Sequence, residues 1–300
     1  MSDRGIPPEP GSGTPLSGTP GHMPDLTTRF AMGVAMIAAA SLAIWLGGWP
    51  LRILVTIAAA IMLAEWADMH RVAWPWTWLG VALLALLLLG GSEYLYPAGA
   101  VDTMRLETGE EMWAIDQETF TPSWMAAAAA IGAALLLALA SRRPTLGWGF
   151  VYVALPCFAL LVMSWAVGFG LVFWLMIVTW ATDIFAFFAG KSLGGPKLAP
   201  RISPAKTWAG LIGGMIGAGL CGWLAADFFF LGDPFTWLGA VMGALAQAGD
   251  LYESWVKRRC GVKDSGTILP GHGGVLDRVD GLMTVSIATF AVLMAGLWAG

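Results

Sequence analysis

Asp250, Glu253, Ser254 and Lys257 fall at i, i+3, i+4 and i+7, so a helix through them carries all four on one face. About 10 Å of helix separates Asp250 from Lys257. Further on, Asp277 and Asp280 share a face at i, i+3, where an apolar run beginning at Gly281 takes over. Between the acidic pairs the chain carries Lys257, Arg258, Arg259 and Lys263, together with the turn Gly271-His272-Gly273-Gly274, and Arg278 sits within the second pair. Two carboxylate pairs flanking a cationic, glycine-rich loop suit Mg²⁺, which takes oxygen ligands and keeps positions open for substrate phosphates. The cations would hold the remaining phosphate oxygens. The competing reading of Asp250 is a salt bridge within its own helix, to Lys257 or Arg258. His272 fits three roles on this pattern: a donor to phosphate, a proton-transfer group or a turn residue.

A second polar stretch, Lys191–Thr207, contains the helix breakers Gly194, Gly195, Pro196, Pro200 and Pro204 and four cations. Ser203, Lys206 and Thr207 come just before the next apolar run. They place hydroxyls and an ammonium at a helix N-terminus, where the backbone amides and the dipole favour anions. The alternative is an ordinary basic anchor loop. Asp183, seven residues before Gly190, is either a further ligand or a polar contact between helices. Glu65 and Asp68 sit near His70 and Arg71, which points to a local ion pair.

Elements of a particular kind must position these groups. The chain has 300 residues, 57% of them hydrophobic and 12% charged, with a mean hydropathy of +0.70. A soluble domain carries about a quarter charged residues. Here the apolar residues come in blocks of about twenty, the length that crosses a bilayer. The expected fold is all-α and polytopic, with about nine spans near 30–48, 51–67, 73–91, 124–141, 147–166, 169–189, 207–226, 235–255 and 281–299.

With the N-terminus cytoplasmic, 14 of the 16 Lys and Arg fall on the inside, as the positive-inside rule requires. Nine spans then leave the C-terminus outside. Residues 1–28, rich in Pro and Gly, read as a disordered cytoplasmic tail. Residues 29–145 form an N-terminal membrane region with an acidic external loop at 92–123, in which Glu110–Gln117 can form a short helix. Residues 146–300 hold the polar loops and form the catalytic region. Cys157, Cys221 and Cys260 lack metal spacing and read as structural. No Walker loop, GxGxxG after a strand, HExxH or internal repeat is present.

The segment Ser254–Asp280 resembles the signature of the phosphatidate cytidylyltransferases (CDP-diacylglycerol synthases). Lys257-Arg258, Lys263-Asp264, His272-Gly273-Gly274 and Asp277-Arg278-Val279-Asp280 occupy its constrained positions. Gln247, Gly249, Asp250, Leu251 and Glu253 resemble its lead-in. Asp183 with Gly190, and Ser203-Pro204 with Lys206-Thr207, resemble an earlier stretch in which Ala205 stands for a lysine and Ala209 for a glutamate. Gly281 stands where a serine is common.

The resemblance implies transfer of cytidylyl from CTP to phosphatidate with Mg²⁺, a second cation being open, in the cytoplasmic (inner) membrane. It implies Asp250, Asp277 and Asp280 as metal ligands, and Lys257, His272, Asp277 and Asp280 as catalytic groups. Ser203, Lys206, Thr207, Ser254, Arg258, Lys263, Asp264, Gly273, Gly274 and Arg278 are implied in substrate binding. CTP, phosphatidate and membrane lipid are the expected partners, with no nucleic acid; a homodimer is left open. The alternatives are a CTP-dependent lipid kinase and an ion-coupled transporter. A transporter predicts polar residues near mid-bilayer in several spans, whereas here they gather toward the cytoplasmic span ends.

Overall fold

The computed structural model describes the backbone of residues 26–91, 104–105, 111–112, 117–269 and 273–298, and the side chains of 33–91, 125–269 and 273–296. Most of the N-terminal tail, most of the 92–123 loop and His272 therefore lie outside the described residues.

Among the described residues the chain forms nine helices, close to the nine expected segments. They are α1 (Leu26–Leu46), α2 (Gly48–Met69), α3 (Trp74–Ala85, continued by a π turn over Leu86–Gly91), α4 (Gln117–Ser141), α5 (Pro144–Ala166), α6 (Phe169–Leu193), α7 (Trp208–Phe228), α8 (Phe235–Cys260) and α9 (Leu276–Trp298). Among the described residues, six stretches are long and apolar enough to cross a membrane: Gly48–Met69, Trp74–Gly91, Pro144–Ala166, Phe169–Leu193, Trp208–Phe228 and Leu276–Gly296. α1 and α4 supply shorter apolar stretches, Gly33–Leu46 and Met125–Ser141. α8, which carries Asp250, Glu253 and three cations in its last turn, is not among the six. The protein is an all-α, multi-pass membrane protein.

Two expectations for the first half need correcting. α1 begins at Leu26, inside the stretch expected to be disordered. Glu111–Met112 is a strand (β2) that pairs antiparallel with Met104–Arg105 (β1), not part of a short helix. The second polar stretch also has more structure than its helix breakers suggest. α6 runs on to Leu193, and a two-stranded antiparallel hairpin follows, β3 (Lys197–Ala199) with β4 (Ser203–Thr207).

Two packed cores hold the helices. One joins α2, α5 and α9 around Trp66, Leu63, Phe150 and Met283; the other joins α6, α7 and α8 around Trp174, Leu175, Met242 and Phe235. Lipid tails are as apolar as leucine, so close van der Waals contact rather than water exclusion drives helix association in a bilayer. α7 meets that requirement with Gly210, Gly213, Gly214, Gly217, Gly219 and Gly222. A β carbon on Gly213 would strike Ala189 of α6, and one on Gly217 would strike the Phe185 ring. Gly243 of α8 would meet Ala218 at 2.7 Å, and Gly249 would meet the Asp280 carbonyl of α9 at 2.8 Å. Small residues thus bring α6, α7, α8 and α9 to backbone contact. Tryptophans pin the bundle: Trp66 Nε1 donates to the Thr145 carbonyl (2.9 Å) and Trp174 Nε1 to the Gly222 carbonyl (2.8 Å).

Candidate active site

The functional groups gather at one end of the bundle, where α2, α6 and α8 finish and α7 and α9 begin. Thr207 caps α7, its hydroxyl accepting from Gly210 N at 3.0 Å. The neighbouring Lys206 Nζ reaches across to Asp250 Oδ2 of α8 at 2.6 Å. Asp250 Oδ1 accepts from Ser254 Oγ at 3.3 Å. Asp250 therefore pairs with the β3–β4 hairpin rather than with Lys257 or Arg258 of its own helix.

The intrahelical partner of Lys257 is Glu253, at 2.7 Å, and Lys257 Nζ is also 2.7 Å from Asp277 Oδ1. The ammonium thus ties α8 to the start of α9. Glu253 is only 1% exposed, and its carboxyl group meets the Lys257 ammonium inside the bundle. Lys257 lies in the last turn of α8, beyond the apolar stretch 235–255. Its burial opposes the charge, but the hydrogen bonds to Asp277 and Glu253 outweigh that and hold its pKa above the ordinary lysine value.

Asp277 also organises the loop. Ser265 N donates to its Oδ1 and Oδ2 (3.2 and 3.0 Å), and Gly274 N donates to Oδ2 (2.9 Å). Gly273 pairs with Leu269 across the turn, with Leu269 N to Gly273 O at 3.0 Å. Gly273 has φ +83°, and a β carbon there would stand 2.8 Å from Asp277 Oδ2. Only glycine suits both the left-handed backbone and the space. Gly274 is pressed on Ser265 and on Glu65 in the same way.

Glu65 is the group that sequence reasoning misplaced. It makes no ion pair with Arg71. Its buried carboxylate, 4% exposed, crosses from α2 to the signature loop and accepts from Val275 N (2.9 Å), Leu276 N (2.9 Å) and Ser265 Oγ (3.2 Å). One signal was available: an acid one residue before Trp66, on the span side of the only nearby cation, stands at a depth where it needs partners.

The remaining expected groups are placed as follows. Asp280 Oδ1 accepts from Gly281 N at 2.7 Å, and the carboxylate lies within electrostatic range of Asp250, Asp183 and Lys206. Asp183 lines, with Lys206, Thr207, Gln247, Asp250 and the exposed Phe187, a cavity of about 320 Å³. Arg258 Nη1 donates to the Val262 carbonyl (3.2 Å), closing the turn after α8. Lys263, Asp264 and Arg278 are exposed on the same loop system. Ser203 pairs in β4 opposite Ala199.

The donor set for a divalent ion is entirely oxygen, which fits Mg²⁺. Among the described residues no three acidic or His/Cys side chains already form a metal cluster. Mg²⁺ usually binds through one or two carboxylates and fills the rest of its sphere with water and phosphate oxygens. Asp250 and Asp277 each already hold an ammonium, with which a divalent ion would have to compete for the same oxygens.

Fold and site together define a membrane-embedded enzyme with acidic and cationic side chains interleaved at one end of a helical bundle. The chain belongs to the cytidylyltransferase family, which it matches over residues 27–295. It is 34% identical to the phosphatidate cytidylyltransferase of Brucella abortus over 289 residues, which cover 92% of this chain and 96% of that protein. Over 154 residues it is 37% identical to the phosphatidate cytidylyltransferase of Rickettsia bellii, spanning 48% of this chain and 67% of the relative. Over 164 residues it is 40% identical to that of Pseudomonas aeruginosa, spanning 53% and 59%.

Proposed function

We propose that the protein catalyses CTP + phosphatidate to CDP-diacylglycerol + pyrophosphate in phospholipid synthesis, requires Mg²⁺, and works at the cytoplasmic face of the inner membrane. A phosphatidate phosphate oxygen attacks the α-phosphorus of CTP, the bond from that phosphorus to the β-phosphate bridge breaks, and pyrophosphate leaves. The nucleophile is ionised near neutral pH, so the protein's task is alignment and charge neutralisation rather than proton removal.

The observation that carries the reading is the pair of ion bridges, Lys206–Asp250 and Lys257–Glu253/Asp277, at one end of the bundle. The first holds the Lys206 ammonium in the lining of a cavity that also includes the apolar Phe187 and Leu211, and the second holds the Lys257 ammonium against the start of α9. Phosphate groups would take Lys206 and Lys257, with Arg258 from the end of α8, Lys263 from the loop, Arg278 from the start of α9 and Thr207 at the α7 terminus. The lipid's acyl chains would stay among the exposed aromatic and aliphatic side chains of α6 and α7.

Asp250 and Asp280 would hold Mg²⁺, with Asp277 joining them where Lys257 is drawn to phosphate. When bound, the ion supplies charge neutralisation at the phosphates. Nine spans with the N-terminus inside would place both the hairpin and the signature loop in the cytoplasm, where CTP is. Incubation with α-³²P-CTP and phosphatidate tests the reading. Label in lipid is expected; label in lipid only from γ-³²P-CTP would identify a kinase instead.

A further inference from the structure

We propose that Glu65, in the N-terminal half of the chain, is a positioning residue for this reaction, setting the signature loop and thereby the place where Asp277 meets Lys257. The inference rests on the function proposed above.

A helix N-terminus leaves amides without intrahelical partners, and a Ser, Thr, Asp or Asn just before the helix usually accepts from one of them. The residues before Leu276 are Gly273, Gly274 and Val275, none of which has a side-chain acceptor. The acceptor for α9 comes instead from α2, some 210 residues away in sequence. Glu65 places one oxygen on Val275 N and the other on Leu276 N, where the helix dipole favours an anion.

The arrangement is built around that carboxylate. Gly266 and Gly274 both approach it so closely that a β carbon on either would lie 2.7 Å from a Glu65 oxygen. The next residue, Trp66, is 1% exposed and anchored on the Thr145 carbonyl, so α2 offers a fixed mount. Among the described residues the partners of Glu65 are backbone amides and a hydroxyl rather than a cation. A buried carboxylate with that partner set is costly to leave unsatisfied, which couples its place to the loop's.

Glu65 and Asp277 divide the loop between them. Ser265 gives its amide to Asp277 and its hydroxyl to Glu65; Gly274 gives its amide to Asp277, and Val275 gives the next amide to Glu65. Two carboxylates on different helices thus grip both sides of one turn. A movement of the turn at Ser265 and Gly274–Val275 would disturb the Asp277 and the Glu65 contacts together.

The test uses full-length protein in lipid nanodiscs, with Glu65→Gln and Glu65→Asp. The readouts are kcat, separate KM values for CTP and phosphatidate, and amide hydrogen exchange over residues 261–280. Glu65→Gln should lower kcat/KM for CTP by at least about tenfold, the loss expected for about 1.4 kcal/mol of transition-state stabilisation. The KM for phosphatidate should stay within about twofold, exchange at Ser265, Val275 and Leu276 should rise, and Glu65→Asp should be intermediate. Wild-type kinetics in Glu65→Gln would overturn the proposal. So would equal losses in every parameter that merely track the folded fraction. If Glu65→Gln does not accumulate, Ser265→Ala removes one of the three donors; unchanged CTP kinetics there would overturn it. If the wild type makes no CDP-lipid, the function fails, and exchange alone judges the clamp: unchanged protection at Val275 and Leu276 in the variant would refute it.

Discussion

Lys206 Nζ of the β3–β4 hairpin lies 2.6 Å from Asp250 Oδ2 of α8. This contact joins two residues 44 positions apart in sequence, with the whole of α7 between them. The lysine is 15% exposed and the aspartate 33%, so the pair is partly shielded from water. Lys206→Met should leave Asp250 without its cation and remove a phosphate contact. Turnover should fall by roughly a hundredfold, as for loss of one preorganised charge donor. Initial rates of CDP-lipid formation check this, and a change under threefold would exclude Lys206 from the site.

Asp277→Asn should abolish turnover while the protein still inserts and extracts like wild type. The substitution keeps the shape but removes the charge that holds Lys257, and puts an amide donor opposite the amides of Ser265 and Gly274. A drop of roughly a thousandfold or more is expected for a group serving both loop and lysine. Activity near wild type would remove Asp277 from the machinery.

Gly274→Ala should destabilise the loop. Its β carbon would collide with Ser265 and Glu65, whose positions are fixed by three hydrogen bonds. Overpacking of this kind costs about 1–3 kcal/mol. A thermal unfolding scan in detergent should show a lower midpoint, and activity should fall with it.

Gly217→Leu should disturb the bundle without touching the site. A side chain there overlaps the Phe185 ring and forces α6 and α7 apart. Reduced yield of folded protein in size-exclusion chromatography is the expected result. Normal yield and melting would show that the α6–α7 contact tolerates a wider spacing.

Chelation by EDTA should stop CDP-lipid formation, and added Mg²⁺ should restore it while Ca²⁺, which prefers more and longer-range oxygen ligands, should not. Undiminished activity after exhaustive chelation would dismiss the metal ligands proposed here.

Much was legible in the residues themselves. Blocks of about twenty apolar residues announced a helical membrane protein, because a bilayer demands a fixed length of self-satisfied backbone. Asp250, Glu253 and Lys257 were readable as one face, because 3.6-residue periodicity is a local property. The signature segment carried the family, since so many charged side chains in a fixed order between apolar spans make a specific pattern. Thr207 was readable as the start of α7 from the proline and small residues around it.

Partner choice was not legible. Asp250 has two cations seven and eight residues on along its own helix, yet it pairs with Lys206, because the glycines of α7 let the hairpin and α8 approach closely. Lys257 instead takes Glu253 and Asp277. Glu65 looked like a neighbour of Arg71, but the antiparallel packing of α2 and α9 places it under the signature loop. Sequence by itself determined which segments are helices, where charge collects and to which family the chain belongs, since those follow from composition and short-range spacing. Only the tertiary structure decided which acid meets which base, because that depends on how near two helices come, and small residues on facing surfaces set that distance.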